Sequence, residues 1–178
     1  EDTLTEVISS QMISDVPIGT FLSGGIDSSL ITALMQKASA KTVRSYSIGF
    51  EDERFNEAAH AANVANHLGT DHTELILTER DILDIIPSIS EIYDEPFADP
   101  SLLPTAILCR MTREHVTVAL SGDGGDEMFA GYNIYVANKV AQRFKNVPRF
   151  LGRVLLEPLA ALFPESGGPL NKGRVARE

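Results

Sequence analysis

The chain has 178 residues and a formal net charge of −10, with 43% hydrophobic and 22% charged residues, the proportions of a globular domain long enough to bury a core. That charge argues against nucleic acid as the main partner, because phosphate backbones select basic faces. No apolar run approaches the roughly 20 residues of a membrane span, and Glu1-Asp2 opens no signal peptide, so no membrane partner is expected and a cytoplasmic location is the default.

Leu4, Val7, Ile8 and Met12 recur at helical spacing, which predicts a lead-in helix over residues 4–13 that ends at Ser14-Asp15. Val16 to Leu22 is short and mostly apolar, as a strand is, and Leu30, Ile31, Leu34, Met35 and Ala38 return to the helical period. Ser23-Gly24-Gly25-Ile26-Asp27-Ser28-Ser29 joins the two. Adjacent glycines at such a junction let the backbone turn sharply and let a bulky anion come close. The N–H groups of the helix's first turn, its positive dipole end and the hydroxyls of Ser23, Ser28 and Ser29 would surround that anion, and a phosphate chain is the natural guest. Asp27 would be repelled by a polyphosphate unless a cation lay between them, so it reads as a Mg²⁺ ligand. Taken alone, the loop equally admits a plain helix start with Asp27 or Ser28 as N-cap. It lacks the Gly-Lys-Ser/Thr ending of a Walker A loop and is not Gly-x-Gly-x-x-Gly. It does resemble Ser-Gly-Gly-x-Asp-Ser, the pyrophosphate loop of ATP pyrophosphatase-type enzymes, which cleave ATP between the α and β phosphates to adenylate a substrate.

Val43 to Phe50 alternates as a second strand, and Phe55, Ala58, Ala59, Ala62, Ala65 and Leu68 form one face of the next predicted helix, with Gly69 suited to its C′ position. Asp71 to Leu77 is a third strand. The helical run from Ile82 to Ile92 contains Pro87, which should kink or split it. Tyr93 to Ser101 is too rich in proline and acid for regular structure. A helix from about Leu102 to Glu114 follows, in which Cys109, beside Ala106, Ile107 and Leu108, reads as a packed residue rather than a nucleophile. Val116 to Leu120 is the fourth strand. Strand and helix alternating in this way predict an α/β fold, a parallel sheet with helices on both faces and ligands at the carboxyl ends of its strands. Three loops lie at those ends: Ser23 to Ser29, Gly49 to Glu53, and Ser121 to Glu127.

Ser121-Gly122-Asp123-Gly124-Gly125-Asp126-Glu127 repeats the logic of the first loop with more acid. Its glycines permit close backbone approach, and Asp123, Asp126 and Glu127 crowd negative charge at a helix start, which favours a metal or cationic group nearby. Asp123 and Asp126 are therefore its candidate catalytic residues, a well-capped surface turn being the plainer alternative. Beyond residue 138 the chain turns from acidic to basic, and from about Asn146 the pattern weakens. The expected division is a nucleotide-binding domain over 1–145, then an incomplete helical extension and mobile tail over 146–178, where Pro158 interrupts and Ser166-Gly167-Gly168-Pro169 loosens the chain.

In order, Ser-Gly-Gly-Ile-Asp-Ser-Ser, Ser-Ile-Gly-Phe, Leu-Gly-Thr-Asp-His-Thr-Glu, Asp-Glu-Pro-Phe-Ala-Asp-Pro-Ser and Ser-Gly-Asp-Gly-Gly-Asp-Glu-Met-Phe-Ala-Gly-Tyr resemble the synthetase domain of glutamine-dependent asparagine synthetases. The resemblance runs from about Val16 to Tyr135. It implies a Rossmann-like adenine nucleotide alpha hydrolase (ATP pyrophosphatase) fold, with ATP and Mg²⁺ as cofactors. It also implies that Ser23, Gly24, Gly25, Asp27 and Ser28 hold the pyrophosphate portion of ATP, and that Asp27 and Asp126 bind Mg²⁺. Leu22, Ile48 and Gly49 lie where the family's backbone contacts adenine, with Ser121 and Gly122 near the ribose and α-phosphate. The segment Asp94 to Ser101 borders the acceptor site.

Two departures qualify the resemblance. Complete members begin with a glutaminase domain that releases ammonia, and this domain is expected outside the chain; the family's later helical portion, with a lysine that finishes the site, is absent too. The expected function is adenylation of the aspartate side-chain carboxylate, release of pyrophosphate, and attack by ammonia to give asparagine and AMP, with low activity in this chain alone. A ligase for another carboxylate and a nucleotide-binding module without turnover are the alternatives, while a sulfur-transfer relative is disfavoured by the second loop and the single cysteine. A homodimer is compatible with any of these.

Overall fold

A computed structural model describes residues 1–51, 56–95 and 99–144. The backbone divides into two units, Glu1–Asp123 and Gly124–Glu178. The junction expected at 145/146 falls at the edge of the described residues.

The first unit contains α1 (Asp2–Gln11), β1 (Ile18–Phe21), α2 (Ile26–Ala38), β2 (Arg44–Phe50), α3 (Ala58–Leu68) and β3 (Asp71–Leu77). It continues through α4 (Glu79–Ile85), a 3₁₀ turn (Ile86–Ser88), α5 (Ile89–Ile92), α6 (Leu102–Arg113) and β4 (Val118–Leu120). Pro87 explains the middle of that series: it has no N–H to continue α4, so the chain tightens into 3₁₀ geometry before resuming as α5. Thr78 starts α4 with a capping box, its hydroxyl accepting from the Asp81 N–H while Asp81 accepts from the Thr78 N–H at 2.9 Å. The Thr78 hydroxyl also donates to Asp81 Oδ2 at 2.6 Å, and that bond, with the one from the Thr78 N–H, holds the Asp81 carboxyl below its ordinary pKa.

All strand pairs are parallel, in the order β3-β2-β1-β4. Ile8, Leu34, Met35 and Val43 pack one core under α1 and α2, and Leu22, Ala61 and Ala65 pack another under α3. On the opposite face Leu77, Ile85, Ala106 and Ile107 join α4 and α6 to the sheet. The sheet is thus covered on both sides, as the alternating pattern predicts.

Three details differ from the sequence reading. The buried stripe of α3 is Ala58, Ala61 and Ala65, whereas Ala59 is exposed; alanines occupy so much of this helix that size marks no face, and the i, i+3, i+7 set against the sheet wins. Phe55 lies outside the described residues. Cys109 is exposed rather than packed, because Leu102, Ala106 and Ile107 form the inward stripe of α6 and leave position 109 outside it. Finally, β4 begins at Val118, since the Thr117 and Val118 N–H groups both turn to the Pro17 carbonyl before the ladder starts.

In the second unit, α7 (Gly125–Phe129) and α8 (Asn133–Phe144) are joined through Ala130, at φ 57°. The Tyr132 hydroxyl donates to Glu127 Oε1 at 2.7 Å. The shared proton lowers the Glu127 pKa and pushes that of Tyr132 up to about 12. No helix among the described residues is long and apolar enough to cross a membrane.

Candidate functional site

The strand order locates the crevice. From β1 the chain winds outward through β2 to β3, then returns to lay β4 on the other side of β1. The loops after β1 and β4 therefore leave neighbouring strands at the carboxyl edge, where open parallel sheets receive ligands. Thr20 pairs with Leu120, and the chain leaves the two strands within one residue of the same level, after Phe21 and after Leu120. The second loop then seats on the first turn of α2: a Cβ on Gly122 would lie 2.7 Å from the Ser28 nitrogen and 3.0 Å from the Asp27 carbonyl carbon. Only a residue without a side chain allows that approach.

A cavity of about 470 Å³ occupies the crevice, lined from the first loop by Leu22, Ser23, Gly25, Asp27 and Ser28 and from the second by Ser121, Gly122 and Asp123. Ile48 completes the set of expected residues on its wall. Gly24 is not on the wall. It turns the loop at φ 80°, with its Cα against the His60–Ala61 backbone of α3, where a Cβ would come within 2.7 Å. Gly49 packs beneath the site, facing Ile76, Ala58 and Asn56. Asp126 stands in the first turn of α7, in the second unit.

The serines of the first loop hold its shape. Ser28 Oγ accepts from the Ser23 N–H at 3.2 Å and lies 2.9 Å from Ser23 Oγ, which in turn accepts from the Gly25 N–H at 3.2 Å. The N-cap of α2 is Gly25, without a side-chain cap, rather than Asp27 or Ser28. Consequently the Ile26 and Asp27 N–H groups have no acceptor among the described residues, and they stand at the positive end of a 13-residue helix. Ser29, expected beside the anion, is not on the wall; its hydroxyl is buried without a partner among the described residues.

The β2 edge of the crevice is set by ladder geometry. Tyr46 accepts from the Leu22 N–H at 2.9 Å, so its polar backbone faces β1. In a parallel ladder alternate residues face the same neighbour, which turns the Ile48 N–H and C=O toward the same side, past the end of β1 where the chain has left for the loop. A donor and an acceptor thus stand together at the cavity wall. Tyr46, which also lines it, is buried and stacked on His115 with ring centroids 5.9 Å apart, and burial raises its pKa against the opposing effect of Arg44.

Sequence reasoning missed the contribution of α6, whose first turn supplies Pro104 and Thr105 beside its N-cap Ser101. Ser101 belonged to the segment expected at the acceptor site, and it donates through Oγ to Asp99 at 2.6 Å, which lowers the Asp99 pKa. A neighbouring depression of about 620 Å³ is lined by Asp94, Glu95, Asp99 and Pro100. Phe97 and Ala98 of that segment, and the expected loop residues from Asp52 to Glu53, lie outside the described residues.

The residues present suit Mg²⁺ only in company. No group of three or more His, Cys, Asp or Glu side chains able to hold a metal occurs among the described residues. Asp27 and Asp123 offer carboxylate oxygens on the wall. A hard ion that takes one or two carboxylates and completes its shell with phosphate oxygens and water fits such a site, whereas a self-contained metal cage does not.

The profile of the asparagine synthase family matches residues 1–177. The chain is 38% identical over 164 residues to asparagine synthetase [glutamine-hydrolyzing] 1 of Bacillus subtilis, covering 92% of this chain and 26% of that protein. It is 40% identical over 149 residues to a putative asparagine synthetase [glutamine-hydrolyzing] 2 of Methanocaldococcus jannaschii, covering 83% and 29%. It thus spans between a quarter and a third of the length of these relatives. Among solved structures it resembles an NH3-dependent NAD synthetase from Campylobacter jejuni, with TM-score 0.50 and 16% identity over 74% of this chain and 58% of that one, a likeness of fold.

Proposed function

The chain belongs to the asparagine synthase family, and from that premise we propose that it is the ATP-binding part of an amide-forming ligase whose acceptor is the side-chain carboxylate of aspartate. The observation that carries this reading is the seating of Gly122 on the first turn of α2, which joins two serine-glycine loops into one crevice at the reversal of strand order.

In the proposed reaction a carboxylate oxygen attacks the α-phosphorus of ATP, the bond to the bridging oxygen breaks, and pyrophosphate leaves with that electron pair. Ammonia then attacks the acyl carbon of the adenylate, AMP departs, and the nitrogen loses a proton to give the amide. The Ile26 and Asp27 N–H groups, with Ser23 and Ser28, hold the pyrophosphate portion. Backbone groups of Leu22 and Ile48 read adenine, while Ser121 and Gly122 meet the ribose and α-phosphate. Asp27 and Asp126 would hold Mg²⁺, which would neutralise charge on the phosphates. Asp123 and Asp126 are the acids assigned to catalysis; Asp123 Oδ2 is fixed by the Ser121 hydroxyl at 2.9 Å. The rest of the protein would supply the glutaminase domain and its ammonia, and such ATP-dependent chemistry belongs in the cytoplasm.

A second reading, a nucleotide-binding module without turnover, is favoured by one observation: neither loop holds a lysine or arginine. Charge growing on the leaving phosphates needs cationic groups or donors aimed at it, and losing one such contact costs about 10²- to 10³-fold in rate. Aspartate-dependent exchange of labelled pyrophosphate into ATP separates the two. Exchange, however slow, supports the ligase; tight MgATP binding with no exchange under any carboxylic acid supports the module.

A further inference from the structure

A line of four side chains runs from the edge of the sheet to the crevice. His72 on β3 lies between two hydroxyls of β2, with Nδ1 2.8 Å from Ser45 Oγ and Nε2 3.1 Å from Ser47 Oγ. Ser45 Oγ also lies 2.8 Å from Thr70 Oγ1, and the Thr70 hydroxyl donates to the Ala65 carbonyl at 3.5 Å. Both β2 serines are buried, and Ser47 lines the crevice wall beside Ile48.

The direction of these bonds follows from proton counting. A carbonyl only accepts and each hydroxyl has one proton. Thr70 gives its proton to Ala65, so its oxygen accepts from Ser45; Ser45 then accepts from His72, which fixes the ring proton on Nδ1. Nε2 is left as an acceptor, and Ser47 donates to it. Burial lowers the His72 pKa, with Glu74 acting in the opposite sense, so the ring is neutral at pH 7, and the Nδ1-protonated tautomer is the one that also keeps the Thr70 bond to the Ala65 carbonyl. With its proton given to His72, the Ser47 hydroxyl has only lone pairs left to offer a ligand in the crevice that the residue lines.

We infer that Ser47 is a base-reading residue that accepts a hydrogen bond from the exocyclic amino group of a purine, and that His72 is the positioning residue that fixes its polarity. This rests on the nucleotide reading above. A base with a carbonyl at that place would face lone pair against lone pair, and one with hydrogen there would leave the acceptor unmet.

The test compares ATP with purine riboside triphosphate, which lacks the amino group, by calorimetry with Mg²⁺ on the same 178-residue chain. The parent should prefer ATP by about tenfold. Ser47→Ala and His72→Ala should each lower the ratio severalfold, while His72→Gln, whose amide oxygen can still accept from Ser47, should retain it. A ratio is internal to each preparation, so partial misfolding of a variant does not imitate the result. An undiminished preference in Ser47→Ala overturns the assignment of Ser47 alone, and the same fall in the Gln variant overturns the polarity assigned to His72. A parent that binds neither nucleotide overturns the nucleotide reading itself.

Discussion

At Gly122 a single hydrogen atom decides how near the two loops come. A Cβ there would lie only 2.7 Å from the Ser28 nitrogen, so Gly122→Ala must push the loops apart by several tenths of an ångström. Overpacking of this kind costs about 1–3 kcal/mol. The variant should melt lower and bind MgATP more weakly, whereas normal binding in calorimetry would mean that the second loop does not frame the nucleotide. Asp27 makes a separate expectation. If it meets the phosphates through Mg²⁺, Asp27→Asn should weaken ATP binding in the presence of the ion and leave the melting temperature of the free chain unchanged. His72 adds a pH dependence. Its folded pKa is lowered by burial, so below about pH 6.5 the unfolded chain binds the extra proton more readily than the fold does. Its contribution to stability is complete above that pH and is lost as pH falls toward the folded value. Melting curves between about pH 5 and 7 should therefore fall more steeply for the parent than for His72→Gln.

Among the elements, α4 offers the cleanest measurement, because its first turn depends on the reciprocal bonds between Thr78 and Asp81. Thr78→Ala removes the acceptor for the Asp81 N–H and should cost about 1 kcal/mol, read as a fall in the denaturant midpoint with unchanged slope. Elements marked by such special residues were legible in advance. Pro87 announced the break between α4 and α5, Gly69 closed α3 at φ 69°, and the two serine-glycine motifs announced the loops that line the crevice. What failed to show was direction. Ala58, Ala59, Ala61, Ala62 and Ala65 carry no difference in size to reveal which of them meets the sheet, and the outward turn of Cys109 was hidden in the same way by its apolar neighbours. Nor could spacing reveal that Ser101 and Thr105 reach the wall of the crevice, since that follows from where α6 crosses the sheet.

At the scale of the molecule, the alternation of strands and helices foretold a parallel sheet, but not the return of β4 to the side of β1 that creates the crevice. That return also sets an order of events. The β2–β3 ladder pairs seven residues with partners fewer than thirty positions away, from Arg44 with Asp71 to Phe50 with Leu77. The β1–β4 ladder has three pairs, and each joins residues about a hundred apart. Closing so long a loop for so short a strand is entropically costly, which makes β4 the last strand to form and the first to open. A nucleotide held by both loops would clamp that strand without touching it. Amide hydrogen exchange at Val118–Leu120 should then slow sharply when MgATP is added, while exchange along β2 and β3 scarcely changes; equal slowing throughout would contradict this order. A bound nucleotide would then lend its binding energy to the one strand that the chain's own local contacts support least.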